Sequence, residues 1–409
     1  MEKLIEFVTS HLNDDISRLI LDRKKYPEIN MDLAVASIES RRKLKGKVQE
    51  WHDEPGLIFP LKLSAEQCSS SATGRYKSDL AERIAGCGFR IADLTGGLGV
   101  DSWFFSRKAS QVLYNEMQEP LYNAAGHNFK VLKSENIERS CIEITTSTIA
   151  DVIREFNPDI IYMDPARRGE GGRKVFLIEE CTPDVLGLRS ELFKYCRHLL
   201  IKLSPMADIS MVCERLGRTC REVHVVATGG ECKELLIWMD REYDGEPAIH
   251  AAELHTDNAT GLFSFSYSEE KSTTVSTSTS ILNSTEELIL FEPGKALMKA
   301  GPFNLISARF NLHKLGKSTH YYISCAIDKS DELKRYGKIF RIREYYPLDK
   351  RALKEIGKKY PKSEVTARNI PMDSDTLRKK TGVTSGDDAH IFGLKSDSEG
   401  NILLIAERI

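Results

Sequence analysis

The sequence RIADLTGGLGVD occupies residues 90–101 and combines an apolar run, a carboxylate and three closely spaced glycines. The apolar run has the length and composition of a buried strand, and a helical pattern follows it from Ser102. Glycine permits positive φ and a close approach of the backbone to a ligand, and the first N–H groups of a helix have no partner within the helix. The stretch therefore predicts a strand, a ligand-binding turn and a helix.

Short apolar runs alternate with helical stretches on both sides of this turn. The alternation is typical of βαβ units, so we predict an α/β fold with a Rossmann-like, doubly wound sheet of seven strands. The predicted strands are Phe89–Leu94, Val112–Asn115, Ile142–Thr145, Ile160–Met163, Leu199–Leu203, Val223–Ala227 and Leu235–Met239. The last two are too close in sequence for a crossover helix, so we expect them to pair antiparallel. Two further short strands are expected within residues 246–268.

The sequence pattern divides the chain into four regions. The predicted domains are an N-terminal helical region (1–86), the sheet domain (87–270), a Ser/Thr-rich linker with a small α+β unit (271–330) and a C-terminal α+β domain (331–409). Residues 331–380 hold 15 Lys or Arg against 8 Asp or Glu. A second basic run, from Arg41 to Lys47, is interpreted as a solvated helix face or as a contact for an anionic partner.

Composition disfavours several classes of protein. The 409 residues include 58 Lys or Arg and 60 Asp or Glu, and the resulting net charge of −2 does not by itself identify a polyanionic partner. No uncharged apolar run approaches the roughly 20 residues that span a bilayer, and the charged residues 1–7 differ from a signal peptide. The nine cysteines form no C-x-x-C pair, which disfavours structural zinc and a disulfide scaffold. We expect a cytoplasmic protein that needs no membrane and no metal; its oligomeric state stays open.

A second carboxylate lies at the end of the next predicted strand. Glu116 follows Gly97 by 19 residues, a spacing at which an acid can accept both hydroxyls of a ribose. The turn lacks the third glycine of the dinucleotide motif G-x-G-x-x-G, and Asp93 would repel a pyrophosphate. A nucleoside with ammonium and sulfonium groups suits these acids better, so the charge pattern favours S-adenosylmethionine as the cofactor.

The sequence DLTGGLG at residues 93–99 resembles the motif D-L-G-x-G-x-G of class I S-adenosylmethionine-dependent methyltransferases, and the resemblance extends over residues 89 to about 240. It implies a methyltransferase sheet, with Glu116 on the ribose, Met117 against the adenine and S-adenosylhomocysteine as the product. The implied cofactor-binding residues are Asp93, Thr95, Gly96, Gly97, Gly99, Glu116 and Met117. Two departures are Thr95, in place of the first glycine, and Thr146-Ser147-Thr148, where many relatives bind the adenine amino group with an acid.

A second motif, DIIYMDPARRG, ends the fourth predicted strand at residues 159–169. Parallel sheets place ligands at the carboxyl ends of their strands, so Asp164 and Pro165 are candidate catalytic residues. The D-P-A-R form resembles the reaction motif of nucleic-acid base methyltransferases, in which an aromatic ring usually stacks on the base. Here Arg167 takes that place, and a guanidinium can stack on a base or, with Arg168, bind phosphate.

The same motif form occurs in uracil-5 RNA methyltransferases, which attack the pyrimidine with a cysteine at the end of the next strand. That position reads IKLSP, residues 201–205, and contains no cysteine. We therefore expect direct transfer to an amino nitrogen, with Asp164 and the Pro165 carbonyl orienting the amine.

The C-terminal sequence adds a second resemblance. LFEPGKAL (290–297), VTARN (365–369) and LRKK (377–380) are similar to bacterial proteins that join this catalytic domain to a ferredoxin-like piece and a THUMP-like domain. The resemblance implies RNA as the partner, although a packing role for the THUMP-like domain stays open. The alternatives are a methyltransferase of a protein or small molecule, a catalytically silent RNA-binding protein with this fold, or a protein for a different nucleotide.

Overall fold

The computed structural model describes residues 1–167, 178–275, 282, 286–325 and 330–409. The described chain forms two compact units: unit 1 contains residues 1–223 and 234–247, and unit 2 contains residues 224–233 and 248–409. The four predicted domains divide the chain more finely than these units, and that division stays a prediction.

Six helices form the N-terminal region of unit 1, as the helical periodicity predicts. They are α1 (Glu2–Ser10), α2 (Ile16–Leu21), α3 (Met31–Leu44), α4 (Gln49–His52), α5 (Lys62–Gln67) and α6 (Ser71–Ala85). Ser70 caps α6 by accepting a hydrogen bond from the N–H of Thr73. The basic run does not form a wholly solvated face, because the buried Arg41 donates to the carbonyls of His52, Glu54, Pro55 and Leu57.

The rest of unit 1 alternates strands and helices. The helices are α7 (Val100–Ser106), α8 (Glu119–Val131), α9 (Ile149–Ile153), α10 (Val185–Tyr195) and α11 (Ile209–Leu216). The strands, continued into unit 2, are β1 (Arg90–Asp93), β2 (Gln111–Asn115), β3 (Ile137–Ser140), β4 (Ile160–Met163), β5 (Ala166–Arg167), β6 (Cys181–Thr182), β7 (His198–Leu203), β8 (Cys220–Thr228), β9 (Glu231–Asp240), β10 (Ala248–Leu254) and β11 (Thr260–Phe265). Short 3-10 turns lie at Arg23–Lys25, Ile178–Glu180 and Gly217–Thr219.

The predicted doubly wound sheet is present, with the strand order β11-β10-β8-β9-β7-β4-β1-β2-β3. Strands β3, β2, β1, β4 and β7 are parallel to one another, and β9 is antiparallel to β7. The sheet contains nine described strands rather than seven, because β10 and β11 belong to it as well. The apolar side chains of β4 are buried throughout, as is typical of a central parallel strand.

One predicted strand is wrong. The third strand is Ile137–Ser140, not Ile142–Thr145. This strand lies at the edge of the sheet and reads IERS, with its two central side chains exposed. An edge strand needs little apolar surface, so the more apolar residues that follow it misled the assignment.

Unit 2 is built on a second sheet of seven strands. Its helices are α12 (Tyr267–Ser272), α13 (Lys295–Ala300), α14 (Phe303–Phe310), α15 (Ser330–Leu333), α16 (Lys350–Lys359) and α17 (Ser374–Thr381). The strands of this sheet are β12 (Ile289–Pro293), β13 (His313–Lys314), β14 (Tyr322–Ser324), β15 (Gly337–Pro347), β16 (Lys362–Arg368), β17 (Thr384–Ser396) and β18 (Gly400–Arg408). Their order is β13-β14-β12-β15-β18-β17-β16, so strands from both predicted C-terminal regions share one sheet.

A buried apolar cluster joins α16 and α17 to this second sheet. Leu353 and Ile356 of α16 and Leu377 of α17 pack with Ile391 and Ile405 of the sheet. The basic residues of both helices are thereby left on the outer faces. Among the described residues, no helix is both long and apolar enough to cross a membrane.

Candidate active site

The carboxyl ends of β1, β2 and β4 border a cavity of about 270 Å³ within unit 1. The strands are aligned so that Asp93 of β1 lies between Tyr114 of β2 and Tyr162 of β4. The predicted site residues that line the cavity are Asp93, Thr95, Gly96, Gly97, Glu116, Met117 and Asp164. The structure thus brings together residues from three strand ends that are up to 71 positions apart in the sequence.

Three predicted residues have other positions. Gly99 is the residue before α7, and Pro165 is buried after β4; neither lines the cavity. The backbone of Arg167 belongs to the short strand β5, and nothing is described of its side chain. Arg168 lies outside the described residues.

The glycine turn is packed against β2. A Cβ atom on Gly96 would lie 2.2 Å from the ring of Tyr114, and the Tyr114 hydroxyl donates to the Gly97 carbonyl at 2.7 Å. Gly99 has φ of +92°, and a Cβ there would lie 2.7 Å from Phe129. Only glycine fits these positions without displacing an aromatic ring.

Glu116 ties the turn to the end of β2. One oxygen of its carboxylate accepts from the N–H of Gly97 at 2.9 Å, and the other accepts from the N–H of Gln118 at 2.7 Å. Glu116 and Asp93 line the same cavity, as one binding site for a nucleoside donor requires. Each Glu116 oxygen keeps a lone pair for a ligand hydroxyl.

Asp93 is almost fully buried, with 1% of its surface exposed. Its oxygens accept from the N–H of Thr95 at 3.2 Å and from the hydroxyl of Ser102 at 2.6 Å. Burial raises the pKa of Asp93 to about 8, against the opposing effect of the Ser102 hydrogen bond and with a contribution from the nearby charge of Asp101. The buried carboxyl group therefore holds its proton more strongly than an exposed aspartic acid does, contrary to the expectation from the sequence that Asp93 is a fixed negative charge.

Asp101, the last residue of the quoted turn sequence, lines the cavity and was not among the predicted site residues. Its Oδ2 accepts from the hydroxyls of Tyr162 at 2.8 Å and Ser69 at 3.0 Å, and its Oδ1 lies 3.2 Å from Lys77 Nζ. Burial disfavours the charged carboxylate, but Lys77 and Lys202 outweigh it, so the pKa of Asp101 is lowered. Asp101 is therefore an ionised group in the cavity wall.

Lys77 connects Asp101 to a second buried acid. Its side chain, on α6, is fully buried, and Nζ donates to Ser69 at 2.7 Å and to both oxygens of Glu234 at 2.8 and 2.9 Å. Glu234, at the start of β9, is 2% exposed. We call Lys77, Asp101, Asp164, Lys202 and Glu234 the charged cluster.

Asp164 is held from two sides. Its N–H donates to the Thr95 hydroxyl at 2.6 Å, and Lys202 Nζ donates to its Oδ2 at 2.5 Å. The contact to Lys202 follows from the register, in which Met163 of β4 is opposite Ile201 of β7. Thr95, the departure from the glycine motif, thus fixes the backbone of the candidate catalytic residue.

Sequence reasoning missed Lys202, and the signal was available. Lys202 interrupts the apolar run of β7, HLLIKL, and a charge inside a central strand needs a buried partner. Lys77 and Glu234 gave no comparable signal, since helix α6 and the start of β9 both carry several other charged residues.

The segment after β3 that lines the cavity is not the one that the sequence predicts. Ile142, Glu143 and Ile144 line the cavity, whereas Thr146-Ser147-Thr148 does not. The third strand ends earlier than predicted, so the segment that reaches the cavity is shifted and includes an acid, Glu143. Met117 lines the same cavity and is 56% exposed.

The strand order and the glycine turn are those of the class I S-adenosylmethionine-dependent methyltransferase fold. A crystal structure from Porphyromonas gingivalis W83, named "putative methyltransferase", is 30% identical, with a TM-score of 0.85, and the match covers 99% of this chain and 97% of that chain. Family models match residues 290–330 as a ferredoxin-like domain and residues 337–408 as THUMP domain-like. The chain therefore belongs to the family of this Porphyromonas protein.

A weaker match is to an rRNA methylase from Streptococcus thermophilus, with 13% identity and a TM-score of 0.31 over 40% of this chain and 94% of that chain. At this level the match carries no argument about the present chain. No curated protein matches the chain.

Proposed function

We propose that this protein transfers the methyl group of S-adenosylmethionine to a nitrogen of an RNA base, with an amino nitrogen as the favoured acceptor. The observation that carries the proposal is the cavity in which the glycine turn, Glu116 and Asp164 meet at the carboxyl ends of β1, β2 and β4. The nine scattered cysteines, which form no C-x-x-C pair, favour a cytoplasmic location, which is part of the same proposal.

The cavity offers a complementary group for each part of the cofactor. Glu116 accepts the ribose hydroxyls, while Met117, Ile142 and Ile144 enclose the adenine and Glu143 accepts from its amino group. This placement leaves the methionine end over β1 and β4, beside Asp93 and Asp101, where carboxyl groups suit the ammonium and sulfonium. When bound, S-adenosylmethionine supplies a methyl group that is already activated by the positive sulfur.

Asp164 orients the acceptor in this proposal. Its Oδ1 accepts a hydrogen of the amino group, so that the nitrogen lone pair faces the methyl carbon. The Pro165 carbonyl, which was expected to share this role, belongs to a buried residue outside the cavity lining and has no part in the step. The nitrogen–carbon bond forms as the carbon–sulfur bond breaks, the electron pair stays on sulfur, and a proton leaves the nitrogen through Asp164 to water. Positioning and electrostatics supply the rate enhancement, since the donor needs no further activation.

The case for RNA comes from unit 2. The THUMP-like match covers residues 337–408, and its two helices expose a set of cations: Lys350, Arg351, Lys354 and Lys358 of α16, and Lys379 and Lys380 of α17. Phosphate contacts of this kind release counterions, so binding should weaken steeply with salt. Arg167 and Arg168 are proposed to bind phosphate or stack on the base beside Asp164.

The experiment combines binding and transfer. Wild-type protein is expected to bind S-adenosylhomocysteine in a calorimeter and to transfer labelled methyl groups to total RNA from cells that lack the gene. Asp164→Ala should keep its affinity for S-adenosylhomocysteine but lose transfer by at least about a hundredfold, because it removes a group needed only for the acceptor. Mass spectrometry of the digested RNA then identifies the methylated nucleoside.

The matched control is Asp244→Ala, which removes a surface carboxylate paired with Arg218 and should leave transfer unchanged. Absence of S-adenosylhomocysteine binding by the wild type contradicts the cofactor assignment. Cofactor binding with salt-dependent RNA affinity but no transfer supports the silent RNA-binding alternative, whereas labelling of protein or small molecules alone supports the other alternative.

A further inference from the structure

Lys202 is the only described residue with a side-chain contact to the Asp164 carboxylate. Its ammonium lies 2.5 Å from Oδ2, and the side chains of Lys202 and Asp164 are 12% and 39% exposed. Asp164 lines the cavity. Lys202 does not line it but donates a hydrogen bond to Asp164. The Asp164 carboxylate at the cavity is therefore already neutralised by the Lys202 ammonium.

Lys202 keeps its charge in this position. Burial disfavours the ammonium, but the carboxylates of Asp164, Glu234 and Asp101 outweigh that effect and raise the pKa of Lys202. The charged groups that face it are these three acids and Lys77, which is shared between Asp101 and Glu234. A buried lysine among three acids stays protonated over the physiological range.

An acceptor that enters this region meets both members of the pair. A cationic amine, such as a lysine side chain, is attracted by Asp164 and repelled by Lys202, so it gains little. A neutral base nitrogen gains a hydrogen bond to Oδ1, which accepts from no described side chain, and avoids the cost of placing a second cation beside Lys202. The transfer step moves the positive charge from sulfur to nitrogen and releases a proton from that nitrogen, so Asp164 must stay available to accept it.

We propose that Lys202 determines acceptor specificity: by neutralising Asp164 where the methyl group is transferred, it favours a neutral nitrogen over a cationic amine. The inference rests on the proposed function, because it takes Asp164 to be the residue that faces the transferred methyl. It adds Lys202 to the site and gives a physical reason to prefer a nucleobase over a protein amine.

Sinefungin tests this inference without any acceptor. This analogue of S-adenosylmethionine carries a protonated amine where the sulfonium methyl would be, whereas S-adenosylhomocysteine carries nothing there. Calorimetry gives the affinity of each ligand for the wild type, Lys202→Met and Lys202→Arg. In Lys202→Met the ratio of sinefungin to S-adenosylhomocysteine affinity should rise about tenfold or more, because an unneutralised Asp164 attracts the amine. Lys202→Arg should keep the wild-type ratio.

Two further variants test the role of Asp164 directly and control for the removal of a lysine elsewhere. Asp164→Asn should lower the same ratio about tenfold, and it carries the test if Lys202→Met does not fold. Lys108→Met, which removes a surface lysine paired with Asp79 and Glu82, should change neither affinity. An unchanged ratio in both Lys202→Met and Asp164→Asn overturns the inference while leaving the cofactor site intact. If the wild type binds neither ligand, the proposed function fails, and the inference fails with it.

Discussion

At the β1–β2 end of the cavity the contacts are made by main-chain groups, whereas on the β4–β7 side they are made by charged side chains. Gly97 offers its N–H to Glu116 and its carbonyl to Tyr114, so the turn is shaped by backbone geometry and close packing. A Cβ added at Gly96 or Gly99 would meet an aromatic ring, so this region is sensitive to added volume.

The charged cluster has the opposite character. Its five side chains come from separate helices and strands, and each buried charge depends on a partner of opposite sign. A buried charge that loses its partner keeps the cost of desolvation without the compensating attraction. The glycine turn is therefore expected to be sensitive to added volume, and the charged cluster to the loss of a charge. Three experiments test this difference.

The largest effect is expected from breaking the charged cluster. Lys77→Met leaves Glu234 and Asp101 buried with less compensation, and the free energy of unfolding should fall by about 3–5 kcal/mol. Urea unfolding followed by circular dichroism measures the change. Lys194→Met removes a surface lysine paired with Glu191 and should leave the urea midpoint unchanged. Equal small effects of both substitutions would show that the buried pairing is not needed for stability.

The glycine turn should be sensitive to added side-chain volume rather than to the loss of a charge. Gly96→Ala places a Cβ about where the Tyr114 ring lies, so the turn or the ring must move. We expect about a hundredfold loss of affinity for S-adenosylhomocysteine, with a stability loss of about 1–3 kcal/mol typical of overpacking. Calorimetry measures the first and urea unfolding the second. The control is Gly245→Ala, since its Cβ meets only the hydroxyl end of Tyr243 and can be accommodated. Wild-type affinity in Gly96→Ala would contradict a role for this turn in binding.

Asp93 lies between the two regions and gives the smallest effect. Its pKa of about 8 means that a cationic ligand, which favours the ionised acid, must displace a proton below that pH. Affinity for S-adenosylmethionine should therefore fall about tenfold from pH 9 to pH 7, as the ionised fraction of Asp93 falls. S-adenosylhomocysteine lacks the sulfonium charge and should show a weaker dependence, and Asp93→Asn should remove the difference between the two ligands. Parallel pH profiles in the wild type would place Asp93 away from the sulfonium.

The sequence was informative where a short segment carries the whole signal. The glycine turn, the strand ends at Asp93 and Glu116, and the positions of the central strands β1, β2, β4 and β7 could all be predicted, because glycine spacing and apolar runs act locally. The edge strand β3 could not, since its exposed residues lack that pattern. The error placed Thr146-Ser147-Thr148 at the cavity, whereas the structure places Ile142, Glu143 and Ile144 there.

Residue types and spacing alone therefore predicted an α/β chain with an acid at the end of each of its first two strands and a D-P motif after its fourth. Tertiary structure determined the charge states: burial raises the pKa of Asp93, whereas Lys77 and Lys202 lower the pKa of Asp101. The physical reason is that backbone conformation is set mainly by neighbouring residues, whereas desolvation and ion pairing depend on groups far away in the chain. Lys202 reaches Asp164 across 38 positions of sequence, and only the pairing of β4 with β7 makes them neighbours.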